Sequence, residues 1–126
     1  MGTFSVTIEV GSPDRATWEP VEVLVDTGAT FTWLPRELLE RIGYRADSTK
    51  AHELGDGRIV ETEVGEVPVR IGTDVLTTVC AFAGSGEKPA IGAVTMEQFL
   101  LAPDPVGQRL VPVVGLRMQR AERDES

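Results

Sequence analysis

Short runs with the character of β-strands, separated by turns, constrain the fold of this chain more than any other feature. Residues Thr3 to Val10 alternate apolar and polar side chains, which is the period of a half-buried strand. Val21 to Val25 is rich in β-branched residues, and similar runs occupy much of residues 50–82 and Leu110 to Val114. The 126 residues leave room for one domain. The sequence therefore predicts a mainly β domain with one core.

Helical segments are few and short. Pro35 suits the first position of a helix, and the apolar residues of 35–42 fall on one face. A second helix is expected to begin with the Thr-x-x-Gln box of Thr95 and Gln98 and to continue through Leu101. One or two short helices are therefore expected beside the strands.

A projecting hairpin is predicted over residues 50–64. Asp56 and Gly57 lie between two extended runs, and an Asp-Gly pair in this position is a strong signal for a hairpin turn. Gly55 precedes the pair and leaves the tip with small residues.

Composition excludes several functional classes. Twelve basic against 20 acidic residues give a net charge of −8, which opposes binding to nucleic acid and to anionic membranes. Cys80 and His52 are the sole cysteine and histidine, so neither an internal disulfide nor a Cys/His zinc site can form. The chain starts without a basic and apolar leader, and no apolar run approaches the ~18 residues of a membrane span. We expect a soluble, cytoplasmic protein.

Most groups that could carry chemistry have a simpler structural interpretation. Cys80 follows Val79 in an apolar run and is expected to be a buried small hydrophobic residue. His52, beside the predicted hairpin, is expected to have a structural role. The glycine-rich stretch 84–88 lacks the spacing of a phosphate-binding loop and is expected to be an ordinary loop.

Asp26 is different because it ends an apolar strand. A carboxylate at the edge of a core, with restricted access to water, is suited to proton transfer. Gly28 lets the backbone approach that carboxylate closely, and Thr27 and Thr30 offer hydroxyl groups. The same residue types are common in plain turns, so these residues alone leave both interpretations open.

The order of these features resembles the retropepsin-like (clan AA) aspartic proteases, the single-domain relatives of pepsin, and in particular their small prokaryotic-type members. The resemblance consists of the Asp-Thr-Gly-Ala-Thr run from Asp26 to Thr30, then the Asp-Gly hairpin, then Ala-Ile-Gly before a helix. It spans residues 3–115 and implies a closed barrel lobe with a flap hairpin. The protease domain is accordingly placed at 1–116, followed by a charged tail, 117–126, that is expected to be disordered.

The resemblance also implies roles for individual residues. Asp26 would be the catalytic aspartate, Thr27 would grip the loop of a partner subunit, and Gly28 would allow the close backbone approach. The other residues implied are Ala29, Thr30, Gly55, Asp56 and Gly57 for substrate binding, and Ala90, Ile91 and Gly92 behind the catalytic loop. No metal or other cofactor is expected.

Hydrolysis by carboxylates requires two of them, one ionised to activate water and one protonated to hydrogen-bond the carbonyl oxygen. This chain supplies one Asp-Thr-Gly, so the predicted enzyme is a homodimeric aspartic endopeptidase acting on peptides or proteins. Its water would lie between Asp26 of each subunit. Ala93 stands where viral members carry an arginine, so their interface ion pair is not expected. The alternatives are a non-catalytic peptide-binding module and an assembly domain in which Asp26 is an ordinary turn residue.

Overall fold

The computed structural model describes residues 3–119. The chain forms nine strands and two short helices within this range. The strands are β1 Ser5–Gly11, β2 Trp18–Val25, β3 Thr32–Pro35, β4 Ser48–Glu53, β5 Ile59–Ile71, β6 Asp74–Ala83, β7 Ala90–Ile91, β8 Leu101–Asp104 and β9 Arg109–Pro112, and the helices are α1 Arg36–Arg41 and α2 Ala93–Gln98.

Seven strands form one sheet in the order β1-β2-β7-β3-β6-β5-β4. An additional pairing of β1 with β5, at Glu9–Arg70 and Val10–Val69, closes six of these strands into a ring. Strands β8 and β9 form a separate two-stranded sheet. The expected mainly β, barrel-like lobe with two short helices is therefore confirmed.

Strand β5 takes part in two different pairings along its length. Its second half pairs with β6 from Val64 to Ile71 and contributes to the ring, whereas its first half pairs only with β4. The β4–β5 hairpin therefore projects from the barrel, as expected from the Asp-Gly pair. Gly57 has a φ of +88° at the turn, a conformation that glycine adopts without the steric penalty of a side chain.

The core fills the inside of the ring with aliphatic side chains from almost every strand. Apolar and polar residues alternate along β1 and β2, so each strand turns one face inward. Strand β7 is two residues long and buried, because it lies between β2 and β3. Fully buried aliphatic side chains include Ile8, Val10, Val23, Leu34, Val67, Val69 and Ile91.

The two helices depart from the sequence expectation in their details. Helix α1 begins at Arg36, with Pro35 as its N-cap residue. Helix α2 begins at Ala93, two residues before Thr95, and it ends at Gln98, so the predicted capping box is wrong. Leu101, expected at the end of this helix, instead starts β8. The physical reason is that the segment containing Ala29 and Thr30 contacts the start of α2.

The expected boundary between a domain and a tail falls near the end of the described residues. Residues 120–126, which make up most of the predicted tail, lie outside them. Among residues 3–119, none of the helices is long and apolar enough to cross a membrane.

Candidate active site

The Asp26 loop leaves the sheet between two buried strands. Val25 is the last residue of β2 and pairs with Ile91 of β7 in parallel register. The amide of Asp26 continues this ladder by donating to the carbonyl of Ile91 at 3.1 Å. The backbone that carries Asp26 is therefore fixed by the sheet itself.

The loop folds back on the Asp26 carboxylate. The amide of Gly28 donates to Asp26 Oδ1 at 2.9 Å, and the amide of Ala29 donates to the Asp26 carbonyl at 3.1 Å. The Gly28 bond orients the carboxylate through Oδ1, and the Ala29 bond closes the backbone turn. The side chain is exposed, which corrects the expectation that Asp26 has restricted access to water. The reason is that the loop turns out of the sheet immediately after Val25.

Gly92 lies directly behind the loop. It is buried, and a side-chain carbon added there would clash with the carbonyl groups of Ala29 and Phe31. The two amides that follow Gly92 donate to the loop: Ala93 to the Ala29 carbonyl at 2.8 Å, and Val94 to the Thr30 carbonyl at 3.0 Å. Ala90, Ile91 and Gly92 therefore pass behind the loop, where the sequence expectation placed them.

These contacts explain why the capping box was wrong. The first amides of a helix lack partners within the helix and need external acceptors. In α2 the carbonyls of Ala29 and Thr30 supply them, so no capping side chain is required. Thr95 is free to face the interior, where it is buried.

A groove with a volume of about 690 Å³ lies between the Asp26 loop and the β4 side of the hairpin. Its lining is Asp26, Gly28, Ala29, Thr30 and Trp33 from the loop and β3, and Ala51, His52, Glu53, Leu54 and Gly55 from the hairpin. The structure thus brings five of the predicted site residues, four from the loop and Gly55, to one groove.

The other predicted site residues lie elsewhere. Asp56 and Gly57 are at the exposed hairpin tip and do not line this groove. Thr27 is exposed and borders a second groove together with Asp26. The role implied for Thr27, a contact with the corresponding loop of a partner subunit, requires a second chain.

The His52 side chain of the hairpin packs against two aromatic side chains, Phe31 and Trp33. Its ring lies 5.6 Å from the ring of Phe31 and 5.4 Å from that of Trp33, in edge-on geometry in both cases. Aromatic pairs in this geometry are mutually attractive. His52 is half-buried, in agreement with a structural role.

Two other aspartates are tied to neighbouring groups. At the hairpin tip, the backbone amide and the side chain of Arg58 both donate to Asp56, and these bonds hold the pKa of Asp56 below its usual value. The amide of Gly107 donates to Asp104 and lowers the pKa of Asp104. Neither of these carboxylates lines the groove beside Asp26.

Other reactive groups are not available at this site. Cys80 is fully buried, as expected, and burial raises the pKa of its thiol. A thiolate nucleophile is therefore disfavoured. Within the described part of the chain, no three His, Cys, Asp or Glu side chains are placed to hold a metal ion.

Sequence reasoning missed part of the groove. Trp33, Glu53 and Leu54 line it, but their positions depend on how far the hairpin bends over β3, which no local pattern encodes. The sequence contained part of this information, because a hairpin that covers the Asp26 loop must place residues of its first strand, β4, over that loop.

Comparison with known families agrees with this geometry. A family model described as aspartyl protease matches residues 6–98, which include the Asp26 loop, the hairpin, and the Ala-Ile-Gly segment. A comparison with curated proteins gives no match. Since the family model covers most of the sequence, the chain belongs to the aspartyl protease family.

Proposed function

We propose that this protein is an aspartic endopeptidase that acts as a homodimer, with the attacking water held between Asp26 of one subunit and Asp26 of its partner. The observation that carries this proposal is an exposed Asp-Thr-Gly carboxylate, oriented by the Gly28 amide, at an open groove beneath a hairpin. Membership of the aspartyl protease family supports it.

The chemistry requires a pair of carboxylates. One is ionised and removes a proton from water, and the other is protonated and donates to the carbonyl oxygen of the scissile peptide. Two such groups close together share one proton, because both cannot readily ionise. Activity is therefore expected in an acidic to mildly acidic range and should fall on both sides of it.

The described residues offer poor candidates for a second carboxylate in the same chain. Asp56 and Asp104 do not line the groove, and hydrogen bonds from neighbouring groups lower the pKa of each. Glu53 does line it, but it belongs to the projecting hairpin and not to the loop. A two-fold axis beside Asp26 would supply an identical carboxylate without any further requirement on the sequence.

A second groove beside Asp26 supports the proposal of a partner copy at this place. It has a volume of about 370 Å³ and borders Asp26 and Thr27. The rest of its lining is largely apolar: Thr3, Phe4, Val25, Pro103 and Pro105. A partner bound here would bury apolar surface and would meet the loop at Asp26.

The substrate groove favours an extended peptide. Trp33 and Leu54 also line an adjoining groove of about 500 Å³, so binding surface continues past Trp33 on the side of Arg36 and Phe82. Several consecutive residues of a peptide can therefore be held, which suits cleavage within a chain.

The test is cleavage of a mixed peptide library between about pH 4 and 7, where a shared-proton carboxylate pair is active. Asp26→Asn keeps an oxygen for the Gly28 amide and removes the titratable group, so we expect a loss of at least about 10³-fold in rate with the fold intact. Asp74→Asn, at the exposed start of β6, is the matched control and should retain full activity.

Glu53→Gln separates the homodimer from a mechanism within one chain. If Glu53→Gln loses cleavage as completely as Asp26→Asn, the second carboxylate comes from the same chain and the dimeric mechanism is wrong. If the wild type binds peptides but cuts none, the chain is a binding module instead.

A further inference from the structure

Three buried threonine hydroxyls form a continuous chain behind the Asp26 loop. Thr32 on β3, Thr78 on β6 and Thr95 on α2 are each at most 1% exposed. Thr32 Oγ1 donates to Thr95 Oγ1 at 2.7 Å, and Thr95 Oγ1 lies 2.8 Å from Thr78 Oγ1. The chain therefore links three elements that are remote in sequence.

The hydroxyl chain ends on the glycine that supports the loop. The amide of Gly92 donates to Thr32 Oγ1 at 3.0 Å. Gly92 is packed against the carbonyls of Ala29 and Phe31, and the following amides of α2 hold the carbonyls of Ala29 and Thr30. Each link between the hydroxyl chain and the Asp26 loop is thus a direct hydrogen bond or a close backbone contact.

We propose that Thr32, Thr78 and Thr95 are positioning residues that set the orientation of the Asp26 carboxylate through Gly92 and the start of α2. This inference deepens the proposed function, on which its kinetic test rests.

The hydrogen-bond count explains why hydroxyl groups are needed. The Gly92 amide donates a hydrogen bond to Thr32 Oγ1, and the Thr32 hydroxyl donates to Thr95 Oγ1. The Thr95 hydroxyl can then donate to Thr78 Oγ1, so that all three hydrogen bonds run in the same direction. Buried hydrogen bonds aligned in this manner reinforce one another. A valine at position 32 would leave the Gly92 amide without its acceptor, and a valine at position 95 would do the same to the Thr32 hydroxyl. The free-energy penalty of an unsatisfied buried donor then favours a shift of Gly92 or α2.

If the three threonines served only to pack the core, replacement by valine would have little effect on kcat. Threonine and valine have nearly the same shape, so replacement would keep the packing and change only the hydrogen bonds. An effect on the orientation of Asp26 should appear in kcat more than in KM, because the hairpin side of the groove, Ala51 to Gly55, lies outside the hydroxyl chain.

The experiment compares Thr95→Val with Thr95→Ser in the full chain. For Thr95→Val we expect kcat to fall about 10- to 100-fold, as small misplacements of a catalytic group can cause, while KM stays within about two-fold. Thr95→Ser keeps the hydroxyl and should recover most of the wild-type kcat. Val10→Ala, a core truncation in β1 outside the hydroxyl chain, controls for general loss of stability.

Hydrogen exchange provides a readout that does not depend on cleavage. In Thr95→Val the amides of Gly28 and Gly92 should exchange at least about 10-fold faster than in the wild type, while those of the β1–β2 ladder stay unchanged. Should Thr95→Val fail to fold, Thr78→Val removes only the last hydroxyl of the chain and is measured in its place.

Three results would overturn the positioning role: equal losses of kcat in the valine variant and Val10→Ala, no recovery by Thr95→Ser, or unchanged exchange at Gly28 and Gly92. A wild type that cuts no peptide would contradict the proposed function alone, since the exchange experiment would still decide whether the hydroxyl chain orders the loop.

Discussion

Gly92 and Ala29 are in direct backbone contact: a side-chain carbon on Gly92 would lie 2.7 Å from the Ala29 carbonyl oxygen. The same carbonyl accepts a hydrogen bond from the amide of Ala93. The Asp26 loop and the start of α2 are therefore held at a separation that no residue with a side chain permits. The glycine is needed for close approach, since its φ of −101° is open to any residue.

We predict that Gly92→Ala destabilises the protein by about 3 kcal/mol or more. The added methyl group would clash with backbone atoms, which cannot move aside as a flexible side chain would. The loss in free energy of unfolding is therefore expected at or above the upper end of the range for overpacked cores. Urea unfolding followed by circular dichroism measures the change. Gly55→Ala is the matched control, because nothing lies within 4 Å of its added carbon. Equal stabilities of the two variants would contradict the close contact.

The parts of the fold set by local patterns could be predicted from the sequence. The alternation in Thr3 to Val10 gave β1, and the pair Asp56 and Gly57 gave the hairpin, because strand period and turn chemistry are local properties. The position of Asp26 directly after a buried strand followed from the same reasoning.

The parts that depend on distant contacts could not be predicted in this way. Thr95 has the spacing of a capping residue, but the acceptors that cap α2 come from a loop more than 60 residues earlier. The hydroxyl of Thr95 instead bonds Thr32 and Thr78, a set that no local window contains. The contact of His52 with Trp33 was missed for the same reason.

The proposed homodimer predicts a specific result when two variants are mixed. Adding an equal amount of Asp26→Asn to a fixed amount of wild type should lower activity to about half once the subunits have exchanged, because each mixed dimer lacks one carboxylate. The measurement is initial rate against time after mixing, with Asp74→Asn added as the control. Unchanged activity after exchange would show that one chain contains the whole catalytic apparatus.

The hairpin tip is expected to be mobile until a ligand binds. It is held by two backbone hydrogen bonds between Leu54 and the residues Gly57 and Arg58, and Ile59 beside it is 71% exposed. With so few apolar contacts, the tip amides should exchange rapidly in the free protein. A non-cleavable peptide analogue should slow exchange across residues 52–60 and leave β1 unaffected. If exchange at the tip does not change with the analogue bound, the hairpin does not close over the groove.

Tyr44 ties the segment after α1 to β1. Its hydroxyl donates to the carbonyl of Gly11 at 2.6 Å, and burial raises the pKa of the phenol to about 12. Tyr44→Phe should lower the stability by about 1 kcal/mol at neutral pH, through loss of this hydrogen bond. Because Tyr44 is the sole tyrosine in the sequence, phenolate absorbance follows it without interference from another phenol.

The raised pKa of Tyr44 also determines how the stability of the protein changes with pH. Below about pH 10, the ordinary tyrosine value, the phenol is protonated in both folded and unfolded chains and its contribution to stability is complete. Between that value and the folded pKa of about 12, only the unfolded chain ionises, so stability is lost as pH rises. The advantage of the wild type over Tyr44→Phe should therefore shrink across this window in urea unfolding, since titrations of other groups are common to both proteins. A constant difference, or a phenolate transition near pH 10 in the folded wild type, would contradict the partly buried hydrogen bond between Tyr44 and Gly11.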